Sequence, residues 1–203
     1  MLEDLKAANR EWVKSKLGWD KDYFAKHVAG QRPPYLWIGC ADSRVPPNEM
    51  LGLGPGEVFI HRNVANQAPP KDLNYRSVLQ YGVQVLGVKH ILVVGHTGCG
   101  GIAASMDGQK HGLVDQWLKP VRKTYSANRK ALKALPTIPE RQDRLAELNV
   151  IEQVRNIVAD PFVRDAWAQG RELAVHGWIY VLATGMVKDL EIDVTGPAEA
   201  DRV

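Results

Sequence analysis

Two apolar runs limit what this chain can fold into: YLWIGC at 35–40 and HILVVG at 90–95. Neither alternates polar with apolar residues, so neither suits a sheet with one wet face. Each needs cover on both sides, which is the pattern of a buried parallel strand. Parallel strands require long crossovers, and the chain supplies helical patterns for them. From Asp72, LNYRSVLQYGVQVLGV places Leu73, Val78, Tyr81, Val85 and Leu86 at helical spacing. The stretch 112–158 reads as mostly helical with a break at LPTIPE. DPFVRDAWAQG at 160–170 has an aspartate cap, a first-turn proline and a terminal glycine. GEVFIHR at 56–62 reads as another strand after the turn-rich GLGPG. ELAVHGWIYVLA at 172–183 and LEIDVT at 190–195 read as the last two, a hairpin at the sheet edge.

Strands alternating with helices predict an α/β fold: a mainly parallel twisted sheet, about four parallel strands plus an antiparallel edge strand, flanked by helices. Before the first strand, Leu2, Leu5, Trp12 and Leu17 fall on one stripe. Residues 1–30 therefore read as an N-terminal helical arm, with a second short helix capped by Asp20 and stopped by Pro33-Pro34. At 203 residues and 45% hydrophobic content, one core and one domain over 1–203 are expected. The formal charge of +3 is spread along the chain, which argues against a nucleic-acid or membrane-binding patch. No apolar run nears the roughly 20 residues of a membrane span, and the first residues lack the apolar core of a signal peptide. Two cysteines make no disulfide scaffold, so a reducing, cytoplasmic setting is expected.

Those two cysteines lie in IGCADSRVP at 38–46 and VVGHTGCGG at 93–101, each where a strand ends. In sheets of this kind, sites collect at the carboxyl ends of strands. Core packing, a nucleophile and a metal ligand are all open readings of a buried thiol. If the two strands are neighbours, Cys40, His96 and Cys99 meet at one rim. Two sulfurs and an imidazole with one open position match the donor set of a catalytic zinc site. Asp42 and Arg44 flank Ser43 beside the same rim. They form either a plain turn or a carboxylate held ionised by a guanidinium, able to take a proton from the metal's hydroxide.

In this order and spacing, CADSRVP, HRNVAN and GHTGCGG resemble the β-class carbonic anhydrases. The likeness runs from about residue 20 to 195 and includes LNVIEQVRN and VHGWIY. The resemblance implies reversible hydration of carbon dioxide to bicarbonate. It implies Zn2+ bound by Cys40, His96 and Cys99, and a catalytic dyad of Asp42 and Arg44. Asp42 would become the fourth zinc ligand in a closed state. Gln31 and Tyr81 match substrate-binding positions, although Tyr81 reads equally as a core residue on a helix face. Trp37, Arg62 and Tyr180 match a non-catalytic bicarbonate site of the regulated subtype, through which product would inhibit cooperatively. The N-terminal arm resembles one that clasps a second subunit, so a homodimer or homotetramer is implied. Two thiolates should leave the metal's water less acidic than a three-histidine site does, where it ionises near about pH 7.

Three rivals stand beside that reading. One is a thiol enzyme with Cys40 or Cys99 activated by His96, and another is a zinc-stabilised interaction domain. The third is a relative hydrolysing carbon disulfide in the same site. GLGPGE lacks the strand–glycine–helix context of a phosphate loop and reads as a turn. His61 and His176 read as core or interface residues, while nothing selects among His27, His90 and His111 as proton carriers.

Overall fold

Five strands form one sheet in the computed structural model, which describes residues 1–203. They are β1 (Tyr35–Cys40), β2 (Val58–Asn63), β3 (His90–His96), β4 (Ala174–Val181) and β5 (Met186–Val194), in the spatial order β2-β1-β3-β4-β5. The first four run parallel and β5 pairs antiparallel with β4, as the patterning predicts. β1 and β3 are the central pair and are buried along nearly their whole length. The edge strand β5 begins at Met186, four residues ahead of the run LEIDVT. Its residues alternate between exposed and half-buried, and that pattern is too polar to read as a buried strand.

The chain divides into two compact units, Met1–Arg32 and Pro33–Val203. The first holds helices α1 (Leu2–Trp19) and α2 (Ala25–Val28). There Trp12 meets Phe24 edge-on at 5.3 Å and Tyr23 at 6.3 Å. Asp20 does not cap α2 as the sequence suggests. Its carboxylate accepts from the Asp22 amide and pairs with Lys26, closing a turn, and α2 starts later behind Phe24.

In the second unit the helices are α3 (Pro47–Leu51), α4 (Leu73–Gln80), α5 (Gly100–Met106), α6 (Val114–Trp117) and α7 (Lys119–Ala127). They continue with α8 (Arg129–Lys133), α9 (Ile138–Val158), α10 (Pro161–Ala168) and α11 (Pro197–Ala200). α4 is capped by Asp72 and passes into a wider π turn over Tyr81–Leu86, ended by Gly87 in a left-handed conformation. The buried stripe runs through Tyr75, Leu79, Gly82 and Val83, which leaves Tyr81 on another face of the helix. Tyr81 is 45% exposed and lies against Phe59 at 5.8 Å, so the core alternative for this residue is corrected.

The longest helix, α9, starts inside LPTIPE because Thr137 and Glu140 cap each other reciprocally and Pro139 suits a first turn. It buries Leu145, Val150, Val154 and Ile157, and it lies close to β3 at Gly95. A Cβ there would come within 2.8 Å of Val150 Cγ2 and 2.9 Å of Ile179 Cδ1. Gly95→Ala is therefore expected to destabilise the fold by about 1–3 kcal/mol through overpacking. A chemical-denaturation midpoint equal to that of the parent protein would contradict this contact.

Candidate metal centre

β1 and β3 are hydrogen-bonded neighbours, so their carboxyl ends bring the two cysteine stretches to one rim. Cys40 is the last residue of β1 and His96 the last of β3, while Cys99 follows a tight turn and leads into α5. That turn needs Gly98, whose φ of 63° is left-handed. The Gly98 amide donates to Asp143 Oδ1 at 3.1 Å, and Thr97 is tied to β4 through the Tyr180 carbonyl and the Leu182 amide. All three side chains are buried, and one nitrogen and two sulfurs lie within 4.8 Å of one another.

The chemistry of this donor set fits a soft divalent ion. Nδ1–H of His96 donates to the Thr97 carbonyl at 2.9 Å, which leaves Nε2 as the lone-pair nitrogen. Nε2 is buried and makes no hydrogen bond within the protein. The sulfurs lie 3.9 Å apart, close enough to share a proton. Donation from Cys99 pushes Cys40 down to about 4. The same shared proton, together with burial, pushes Cys99 up, because two adjacent buried thiolates repel. A dication removes that conflict, since both sulfurs can then ionise toward it. Burial works against a charged His96, yet Cys40, the Thr97 carbonyl and Asp42 together outweigh it and the net shift is upward. The pocket is thus electronegative, as a cation site should be.

Asp42 and Arg44 form more than a turn. Arg44 Nε donates to Asp42 Oδ1 at 2.9 Å and Nη2 to Oδ2 at 2.7 Å, a bidentate pair, and Nη2 also reaches the Gly98 carbonyl at 3.2 Å. The guanidinium holds the Asp42 carboxyl well below the usual carboxylate range. Asp42 Oδ2 lies 3.8 Å from His96 Nε2. The carboxylate therefore rests on Arg44 while facing the three donors.

Trp37 is fully buried, and its indole covers Gly39 so closely that a Cβ there would sit 2.1 Å from Nε1. Trp37 and Tyr180 belong to one small apolar cluster on the sheet face opposite the main core. Arg62 is level with Gly39 in the adjacent strand, but no carboxylate pairs with it. Its Nε donates to the Cys40 carbonyl at 2.9 Å and its Nη2 to the Asp42 carbonyl at 2.5 Å. Gln31 is an exposed residue of the first unit.

Sequence reading passed over the support behind Cys40. The loop after β2 takes left-handed backbone at Ala65 (φ 63°) and Asn66 (φ 45°), which is uncommon for residues with a side chain. It is held from α9: Asn149 Nδ2 donates to the Ala65 carbonyl at 2.9 Å, and the Ala68 amide donates to Gln153 Oε1 at 2.8 Å. The available signal was two amide side chains four residues apart on an otherwise apolar helix face.

The carbonic anhydrase family profile matches residues 35–187 of the chain. A carbonic anhydrase of Emericella nidulans is 47% identical over 189 residues, 93% of this chain and 83% of that protein. The β-carbonic anhydrase of Coccomyxa, solved with acetazolamide, superposes with a TM-score of 0.95 at 42% identity, covering 100% of this chain and 91% of that one. The chain belongs to the β-carbonic anhydrase family. A structure described as one of two tetrameric β-carbonic anhydrases of Sordaria macrospora gives a TM-score of 0.93 at 37% identity, covering 96% of this chain and 98% of that one.

β-Carbonic anhydrases are zinc enzymes, and the donor group here suits that ion. About one zinc per chain is expected by metal analysis of the purified protein. Cys99→Ser should lose it, since the hydroxyl is a far weaker ligand. Affinity should also fall as pH drops, because protons compete for sulfur and imidazole. Full zinc retention in Cys99→Ser would contradict this geometry.

Proposed function

We propose that the chain catalyses reversible hydration of carbon dioxide to bicarbonate and a proton, with zinc held by Cys40, His96 and Cys99. The supporting observation is the clamp of Arg44 on Asp42, aimed at the three donors. Zinc, when bound, supplies hydroxide near neutral pH by lowering the pKa of water, and two thiolates moderate that effect and favour alkaline activity. Asp42 is held ionised by the Arg44 guanidinium, so it would serve as hydrogen-bond acceptor beside the three donors and orient the hydroxide that zinc would supply toward carbon dioxide. Carbon dioxide is small and poorly hydrated, and an open apolar surface hollow lined by Val64, Leu113, Val114 and Trp117 reaches Asn63, the residue beside Cys40 in the sheet. Gln31 and Tyr81 are assigned to substrate, Gln31 as an amide donor and Tyr81 through its half-exposed ring.

The rivals fit less well. Both sulfurs are buried, which ill suits a nucleophile that must meet a substrate. A structural zinc site wants four firm protein ligands, and the nearest fourth group, Asp42, is engaged by Arg44.

Regulation by bicarbonate belongs to the same proposal. Trp37 carries a buried indole N–H without a partner, and Arg62 holds the backbone carbonyl of Asp42. An anion that drew the Arg62 guanidinium to itself would release that carbonyl and loosen Asp42 from its present setting. The site is thereby linked to the dyad through one side chain. The exposed Leu2, Leu5, Trp12 and Leu17 of α1 suit an arm that clasps another copy, in a dimer or tetramer. Free thiols at both cysteines suit a cytoplasmic setting.

Asp42→Asn is expected to lower kcat for hydration by about 10²–10⁴-fold in a stopped-flow assay while zinc content stays at the parent level. Parent activity in that variant would remove the dyad's role. Trp37→Phe keeps an aromatic side chain, though a smaller one, and deletes the donor, so it should weaken inhibition by added bicarbonate. An unchanged inhibition curve would end the regulatory reading.

A further inference from the structure

At the opposite end of the sheet from the metal centre, about 20 Å away along β3 at roughly 3.3 Å per residue, a second set of ligand-type side chains meets across three strands. His90 opens β3, His176 lies in β4, and Asp193 sits opposite His176 in β5. His90 Nδ1 is 3.1 Å from His176 Nε2, and His176 Nδ1 is 2.5 Å from Asp193 Oδ1. We propose that His90 Nδ1 and His176 Nε2 form a second metal site, for a divalent transition ion such as nickel, with Asp193 orienting the His176 ring. The proposal is independent of the carbonic anhydrase reading.

The geometry is that of a chelating pair. Two nitrogens 3.1 Å apart, each about 2.0–2.1 Å from one ion, subtend about 100° at it, between octahedral and tetrahedral values. The carboxylate on the far side of His176 is the usual partner of a metal-bound imidazole. Nδ1–H donates to Asp193, which fixes the tautomer and leaves Nε2 as the ligating lone pair. In the metal-free protein a proton on His90 Nδ1 fills the gap between the rings; on binding, His90 takes the Nε2–H tautomer, which frees Nδ1 for the ion. Burial first, and then the neighbouring His176, lowers the pKa of His90, so the ring is neutral and able to bind at neutral pH. The nearest cation, Lys89, is neutralised by Glu172 at 2.8 Å.

The rings are also held in place. Tyr35, His90, His176 and Trp178 form a file with successive centroids 5.7, 5.3 and 6.2 Å apart and planes tilted by 33–37°. Beside them the pairing of β4 with β5 shifts register between His176 and Trp178, and Glu191 takes a left-handed φ of 58°. Bulges of this kind re-aim side chains. Here Asp193 comes level with His176 just past the irregular stretch. Two protein ligands leave the remaining positions to water, so the ion should exchange readily.

Nickel is the probe, because it takes imidazole well and does not displace zinc readily from a thiolate site. The zinc-loaded full-length chain is dialysed to equilibrium against graded nickel and both metals are counted. The expected result is about one nickel per chain in addition to zinc. His90→Gln and His176→Gln should each lower the affinity by about 10-fold or more, and Asp193→Asn by about 10-fold. His27→Gln and His111→Gln should leave it unchanged, and retained zinc shows that each variant is folded. No nickel uptake by the parent, persistence of uptake in both His90→Gln and His176→Gln, or a loss confined to one of them overturns the proposal.

Discussion

Two buried sulfurs 3.9 Å apart, beside an imidazole nitrogen that no protein group satisfies, set the terms for the rest of this structure. Without a cation the pair can lose only one proton easily, and the lone pair of His96 has nothing to bond. Buried polar groups left in that condition are costly, so a fold that retains them has a ligand to match. The elements around the three residues are arranged to hold that set. Parallel pairing of β1 with β3 aligns two strand ends, Gly98 permits the turn that returns Cys99, and hydrogen bonds from β4 and Asp143 fix the turn.

The groups that hold these ligands in place give the set its chemistry. Arg44 holds Asp42 bidentately and also bonds the Gly98 carbonyl, so one guanidinium joins the two cysteine-bearing loops. Arg62 reaches the carbonyls of both Cys40 and Asp42 from the neighbouring strand. Behind them, Asn149 and Gln153 on α9 pin a backbone that Ala65 would not adopt unaided. Buried amide networks of this kind are satisfied on every arm or are destabilising, which explains why two amides occupy an apolar helix face.

Much of this was legible in the sequence because the signals are local. Continuous apolar runs identify β1 and β3 as buried strands, and a strand end followed by His-x-x-Cys or Cys-x-Asp-x-Arg places the ligand-type residues at the rim. Three features escaped for reasons that are equally physical. Asp20 reads as a helix cap, yet its carboxylate serves an Asx turn and Lys26 instead. Tyr81 shares helical spacing with Leu73 and Val85, but the buried stripe runs instead through Tyr75, Leu79 and Val83. The contacts of Asn149 with Ala65 and of His90 with His176 join residues 84 and 86 positions apart, which no periodicity reports.

Function depends on an S₂N donor set with a light atom completing the coordination. Zinc K-edge X-ray absorption on the purified protein tests it most directly. The predicted shell is two sulfurs near about 2.3 Å and two nitrogen or oxygen atoms near about 2.0–2.1 Å. A shell of nitrogen and oxygen alone, a shell with three or more sulfurs, or protein that binds no zinc at all would contradict it.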